Sequence, residues 1–193
     1  MSVQIERRWF SVDEYYRMID AGYRMIDAGI LSEDDRVELI EGEVIKMSPI
    51  GKFHAACVKR LNKLFVFLVG RTATVSVQDP IRLTDFSEPQ PDLALLKRRD
   101  DFYSSGHPTP EDVSLVVEVA DSSVQYDRMI KMPLYARSGI PEVWLVDVAR
   151  DLVEVYARPV NGRYQDFREA RRGETLSLSS LPNLAISIDD ILG

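Results

Sequence analysis

Two carboxylates and a lysine stand among residues that would not ordinarily surround them. Asp92 follows Pro91 directly and opens the apolar run at 93–96. Glu118 lies inside Leu115-Val-Val-Glu-Val119, where an unpartnered buried carboxylate would be strongly disfavoured. It must therefore be paired, hydrogen-bonded or bound to a cation. Hard cations such as Mg²⁺ or Mn²⁺ take a few carboxylates together with waters and phosphate oxygens, and two acids on neighbouring strands supply such a set. Asp127 and Lys131 are four residues apart in a helical segment and share one of its faces. A lysine there can orient or deprotonate an attacking water, or neutralise charge building on a phosphate.

Each residue also has a plainer reading. Asp92 could be a turn residue after its proline, and Glu118 could pair with an arginine such as Arg128. Asp127 and Lys131 could form an exposed ion pair, worth about 0.3 kcal/mol. Glu38 follows strand alternation and could be solvated, and His54 could cap or pack the start of a helix. The set carries more weight than any member.

The elements that must position these residues can be read from spacing. Val37, Leu39 and the apolar residues at 44–47 flank Glu41-Gly42, the pattern of two short strands around a tight turn. Residues 52–69 carry Val58, Leu61, Leu64, Phe65 and Leu68 at helical spacing. Residues 72–83 read as extended, 93–96 and 114–119 as buried strands, and 97–111 as a long polar loop. A helix is predicted over 125–138 with Gly139 as its stop. Strands follow at 142–148 and 152–157, a third at 163–171, and a brief helix or turn at 188–192. Helix-separated and antiparallel strands together predict an α/β fold, a mixed β-sheet flanked by helices. The expected layout is a single domain over 1–193, with an N-terminal helical segment at 1–34 and a core at 35–193.

The N-terminal segment contains Tyr16-Arg-Met-Ile-Asp-Ala-Gly22 followed at once by the same seven residues, 23–29. Seven residues make about two helical turns, so the copy lengthens a surface helix nearly in register. Ser11 with Asp13 and Glu14 predicts its N-cap. Gly29 is its expected stop, and Gly22 is a place where it can break.

At 45% hydrophobic and 28% charged residues, the composition is that of a globular protein and not of a disordered or membrane chain. No apolar run approaches the length of about 20 residues that a membrane helix needs, and the first ten residues do not read as a signal peptide. One cysteine, Cys57, excludes an internal disulfide, and two histidines with it exclude the usual zinc spacings. A cytoplasmic location is the expectation. The net charge of −7 weighs against a nucleic-acid partner, because phosphate binding wants a basic surface.

Over 36–147 the chain resembles the bacterial "putative restriction endonuclease" (Uma) family of the PD-(D/E)XK nuclease-like superfamily. The matching blocks are Val37-Glu-Leu-Ile-Glu-Gly-Glu43, His54, Pro91-Asp-Leu-Ala94 and Val116-Val-Glu-Val119. They continue with Asp127-Arg-Met-Ile-Lys131, Leu134-Tyr-Ala136 and Gly139-Ile-Pro-Glu-Val-Trp-Leu-Val-Asp147. The resemblance implies a restriction-endonuclease-like fold and a metal-dependent endonuclease acting on DNA. It makes Asp92 and Glu118 metal ligands and Glu38 a further one. The superfamily's usual lysine position is Ala120 here, so Lys131 on the next helix stands in its place. His54 and Asp127 are accessory positions. The alternatives are a non-cleaving nucleic-acid- or protein-binding module that keeps the fold, and an oligomer in which exposed Trp144, Tyr156 and Tyr164 mark a dimer face. A homodimer fits the enzyme reading too.

Overall fold

A strand buried on both faces reads as a nearly continuous apolar run, and Val113-Ser-Leu-Val-Val-Glu-Val-Ala120 is such a run, broken by one glutamate. The computed structural model describes residues 8–20 and 35–193. They fall into two compact units: Met1–Ser48 with Arg82–Pro89, and Pro49–Ile81 with Gln90–Gly193.

In the smaller unit, α1 (Val12–Asp20) begins with the predicted cap. Ser11 Oγ accepts the Glu14 amide at 3.2 Å and Glu14 Oε2 accepts the Ser11 amide at 3.1 Å, a reciprocal capping box. β1 (Val37–Ile40) and β2 (Glu43–Lys46) form an antiparallel hairpin with Ile40 opposite Glu43. Its two turn residues, Glu41 and Gly42, both have positive φ, 49° and 82°, as a two-residue turn matched to strand twist requires. A Cβ at Gly42 would lie 2.7 Å from the Trp9 Cβ, so glycine is needed for space as well. Val12, Tyr15 and Leu39 make the buried centre of this unit. Gly22, the second copy at 23–29 and the expected stop at Gly29 lie outside the described residues.

The larger unit is built on six strands: β3 (Ala73–Ser76), β4 (Leu93–Lys97), β5 (Val113–Ala120), β6 (Glu142–Asp147), β7 (Leu152–Val160) and β8 (Arg163–Arg171). They lie side by side in sequence order. Only β5 and β6 are parallel; every other pair is antiparallel. Parallel neighbours need a crossover, and α3 provides it in three pieces: Val124–Tyr126, a π-helical turn Asp127–Lys131, and Met132–Arg137. A long helix, α2 (Lys52–Val69), buries Cys57, Val58, Leu61, Phe65 and Val69. These join Leu93, Leu95, Leu115, Val117, Val119 and Trp144 in one core, which β9 (Thr175–Leu178), β10 (Leu181–Ser187) and α4 (Ile188–Leu192) complete. Strand residues alternate between faces, so Val116, Glu118 and Ala120 point away from α2.

The mixed sheet flanked by helices is the expected fold class. Three local expectations need correcting. Only Ala73–Ser76 of the extended stretch forms a strand, because Gln78 at φ 59° turns the chain out of the extended region. The β9–β10 hairpin was not anticipated, since its two strands flank only a brief polar turn. Trp144 is fully buried and donates its indole N–H to Glu142, so it cannot mark an exposed dimer face.

Leu115 is fully buried in this core. Leu115→Ala is expected to destabilise the larger unit by about 2–5 kcal/mol, read as a lower urea midpoint.

Candidate active site

The β4–β5 register sets Leu93 opposite Val117. One step further along both strands, Asp92 comes opposite Glu118, and both are buried. Asp92 Oδ2 accepts the Val119 amide at 2.9 Å and meets His54 Nε2 at 2.9 Å. Its Oδ1 accepts from Gln78 Nε2 at 3.3 Å. Burial by itself would raise the Asp92 carboxyl. The His54 contact, the Val119 amide and Gln78 outweigh that and hold it below the usual carboxylate value.

Glu118 has the opposite balance. Lys131 Nζ donates to its Oε1 at 3.2 Å and Tyr135 Oη donates to the same oxygen at 2.6 Å. Oε2 is used by neither. Burial nevertheless pushes the Glu118 carboxyl up to about 8, against the pull of Lys131, with the negative charges of Asp127 and Asp92 adding to the rise. Two facing carboxyls with opposed shifts are the arrangement expected where a proton or a cation has to be shared.

The π-helical turn places Asp127 and Lys131 inward, each buried to 4% exposure. One turn of this kind inserts a residue into the helix and often marks a functional site. Asp127 Oδ2 accepts the Ser123 hydroxyl at 2.8 Å. Because Asp127 and Lys131 are both buried, the exposed ion pair weighed from sequence is excluded. Arg128 does not pair with Glu118. It makes a two-pronged contact with Glu154 of β7 and reaches Asp147 Oδ2 of β6 at 3.3 Å. Glu154 and Glu118 are both partnered in register with Leu145, so α3 sends Arg128 and Lys131 to two carboxylates on the same face of the sheet.

Asp92, Glu118, Lys131 and His54 are therefore brought together in the larger unit, with Asp127 beside them. Glu38 belongs to the smaller unit, where it is buried on β1. Tyr135, Gln78 and the Val119 amide were missed from sequence. Tyr135 had a signal, four residues after Lys131 on the same helix face. Gln78 had none, because a left-handed residue that aims its amide at Asp92 is a tertiary fact. Among the described residues no three His, Cys, Asp or Glu side chains form a metal-holding group, and no helix is long and apolar enough to cross a membrane.

The model of the family described as "Uma2: Putative restriction endonuclease" matches residues 12–189. The chain belongs to that family. Among solved structures it is similar to a protein from Anabaena variabilis ATCC 29413 titled a "putative nuclease belonging to DUF820". The two share 17% identity with a TM-score of 0.69, over 95% of this chain and 97% of the other. That likeness concerns the fold. No curated protein matches the chain.

Removing the Tyr135 hydroxyl tests the Glu118 arrangement. Tyr135→Phe is expected to cost about 1–2 kcal/mol, more where Glu118 is ionised than where it is neutral. Because the folded-state value is raised from 4.5 to about 8, the folded chain keeps a proton that the unfolded chain releases. The contribution of Glu118 to stability therefore falls as pH rises through that window. Urea titrations at its two ends should show the larger Tyr135→Phe loss at the alkaline end.

Proposed function

We propose that the protein is a metal-dependent endonuclease that hydrolyses nucleic-acid phosphodiester bonds, DNA first among them. The observation that carries this reading is the facing Asp92–Glu118 pair with the buried Lys131 ammonium on Glu118. Family membership supports it.

The donor chemistry suits Mg²⁺ or Mn²⁺. Asp92 is ionised and has about one acceptor site left beyond its three hydrogen bonds. Glu118 offers Oε2, and its raised value means that a cation arriving there displaces a proton. Magnesium commonly uses one or two carboxylates and completes its shell with waters and phosphate oxygens, so Asp92 and Glu118 are the residues that would hold it. When bound, such an ion supplies Lewis-acid polarisation of a phosphoryl oxygen and a more acidic water.

The chain's own groups do the rest. The Val119 amide, His54 and Gln78 hold the Asp92 carboxylate in one orientation. Tyr135 and Lys131 do the same for Glu118. The Lys131 ammonium, desolvated by burial, is the group that orients the attacking water and offsets charge accumulating on the phosphate. The proposal extends to a cytoplasmic homodimer, since a lone buried thiol at Cys57 suits a reducing compartment and two copies bring two sites to one nucleic acid.

The net charge of −7 favours a second reading, a non-cleaving binding module that keeps the fold. Incubation with plasmid and single-stranded DNA plus Mg²⁺ or Mn²⁺ separates the two. Asp92→Ala and Lys131→Ala are each expected to lower cleavage by about 100-fold or more. Equal activity in wild type and variants, or none in any, sinks the enzyme. Calorimetry gives an independent check: Mn²⁺ affinity should rise about tenfold per pH unit towards the Glu118 value of about 8 and be lost in Glu118→Ala.

A further inference from the structure

α2 is anomalous in charge. The chain is acidic overall, yet Lys52-Phe-His-Ala-Ala-Cys-Val-Lys-Arg-Leu-Asn-Lys-Leu-Phe-Val-Phe-Leu-Val69 contains no Asp or Glu. Elsewhere most exposed cations meet a carboxylate: Lys46 with Asp35, Arg98 with Asp100, Arg158 with Asp166, Arg171 with Glu169, Arg172 with Asp151. Lys52, Lys59, Lys63 and the following Arg71 are exposed, and among the described residues none of them has an ion pair. Arg60 is occupied, since it donates to the Ile191 and Leu192 carbonyls.

The same surface carries exposed apolar side chains, and the Lys52 ammonium lies 5.0 Å from the centre of the Phe53 ring. Phe67 is 84% exposed, Phe53 60% and Val66 54%. Lys59, Lys63 and Phe67 are spaced by four, so they lie in one stripe along the helix, and Lys52 with Phe53 stands at its start. From residue 52 to residue 67 the stripe runs about 22 Å at the rise of an α-helix. Its first turn also holds His54, whose ring contacts Asp92.

Unpaired cations interleaved with exposed aromatic rings suit one partner chemistry above others. Phosphates take the cations, and bases with an open face stack on the rings. An acidic protein gains such a stripe only by leaving carboxylates out of it. We infer that the outer face of α2 is the binding track for a single-stranded nucleic acid, leading along the helix towards the Asp92 end. This rests on the endonuclease reading for the identity of the ligand, but it concerns binding and not cleavage.

The test is fluorescence anisotropy with a labelled single-stranded oligonucleotide in EDTA, so that no hydrolysis is involved. The double variant Lys59→Glu/Lys63→Glu should bind at least about tenfold more weakly, and the milder Lys59→Gln/Lys63→Gln should lower the log–log salt slope by about 1.4, two single-strand phosphates. Phe67→Ala should weaken binding about tenfold. Reversal of paired surface cations, Arg158→Glu with Arg172→Glu, should change little. Thermal melts confirm that each variant folds. Absence of binding by wild type, unchanged binding in the Lys59/Lys63 variants, or uptake by phosphatidylserine vesicles in place of the oligonucleotide would each overturn the inference. If binding follows the track while no DNA is cut in Mg²⁺, the track stands and the endonuclease reading falls.

Discussion

The larger unit is organised around the burial of Glu118. A carboxyl in the centre of an apolar strand loses its hydration, and the cost is tolerable only if protein groups or a cation replace the water. Lys131 and Tyr135 supply two donors, both to one oxygen, and burial still keeps the carboxyl close to neutral. Much of the local architecture follows from this requirement. α3 must cross over β5 and β6 on the face to which Glu118 points. Its π-helical turn must bring Lys131 inward, and Tyr135 must follow one turn later. In the proposed reading this is also the carboxyl that exchanges its proton for a metal ion, so the structural demand and the proposed chemistry meet in one side chain.

Asp92 is stabilised in the opposite sense. It sits where β4 begins, opposite Glu118, and is surrounded by donors instead of hydrocarbon. Three elements far apart in sequence provide them: the first turn of α2, the bend after β3, and the backbone of β5. The resulting asymmetry, one acid held ionised and its neighbour held near neutrality, comes from environment and not from residue type. Arg128, itself half-buried, joins the buried carboxylates of Glu154 and Asp147 in a second charge group on the same sheet face. Breaking such a group costs more than making it gains, so it ties the start of the π-helical turn to β6 and β7.

The opposite face of the sheet is ordinary by comparison. α2 lays an apolar side against Leu93, Leu115, Val117 and Trp144, and its outer side is free to carry a charge pattern unlike that of the rest of the chain. A helix can present two chemistries because its residues divide by face. Here the inner side builds the core, the first turn touches Asp92, and the outer side is cationic and aromatic.

Sequence alone determined the framework. The limits of α2, the buried strands carrying Asp92 and Glu118, the Glu41-Gly42 turn and the Ser11 cap were legible because periodicity, turn chemistry and capping are local. The demand for a partner at Glu118 was legible too, since burial of a charge has a known cost. Sequence could not say which partner would meet it: Arg128 and Lys131 lie three residues apart, and only the π-helical turn over the strand order β5-β6-β7 sends one to Glu154 and the other to Glu118. Nor could it find Gln78 and the Val119 amide at Asp92, or bury Trp144. Those outcomes depend on register and on backbone conformations set by long-range packing, which no window of local sequence contains.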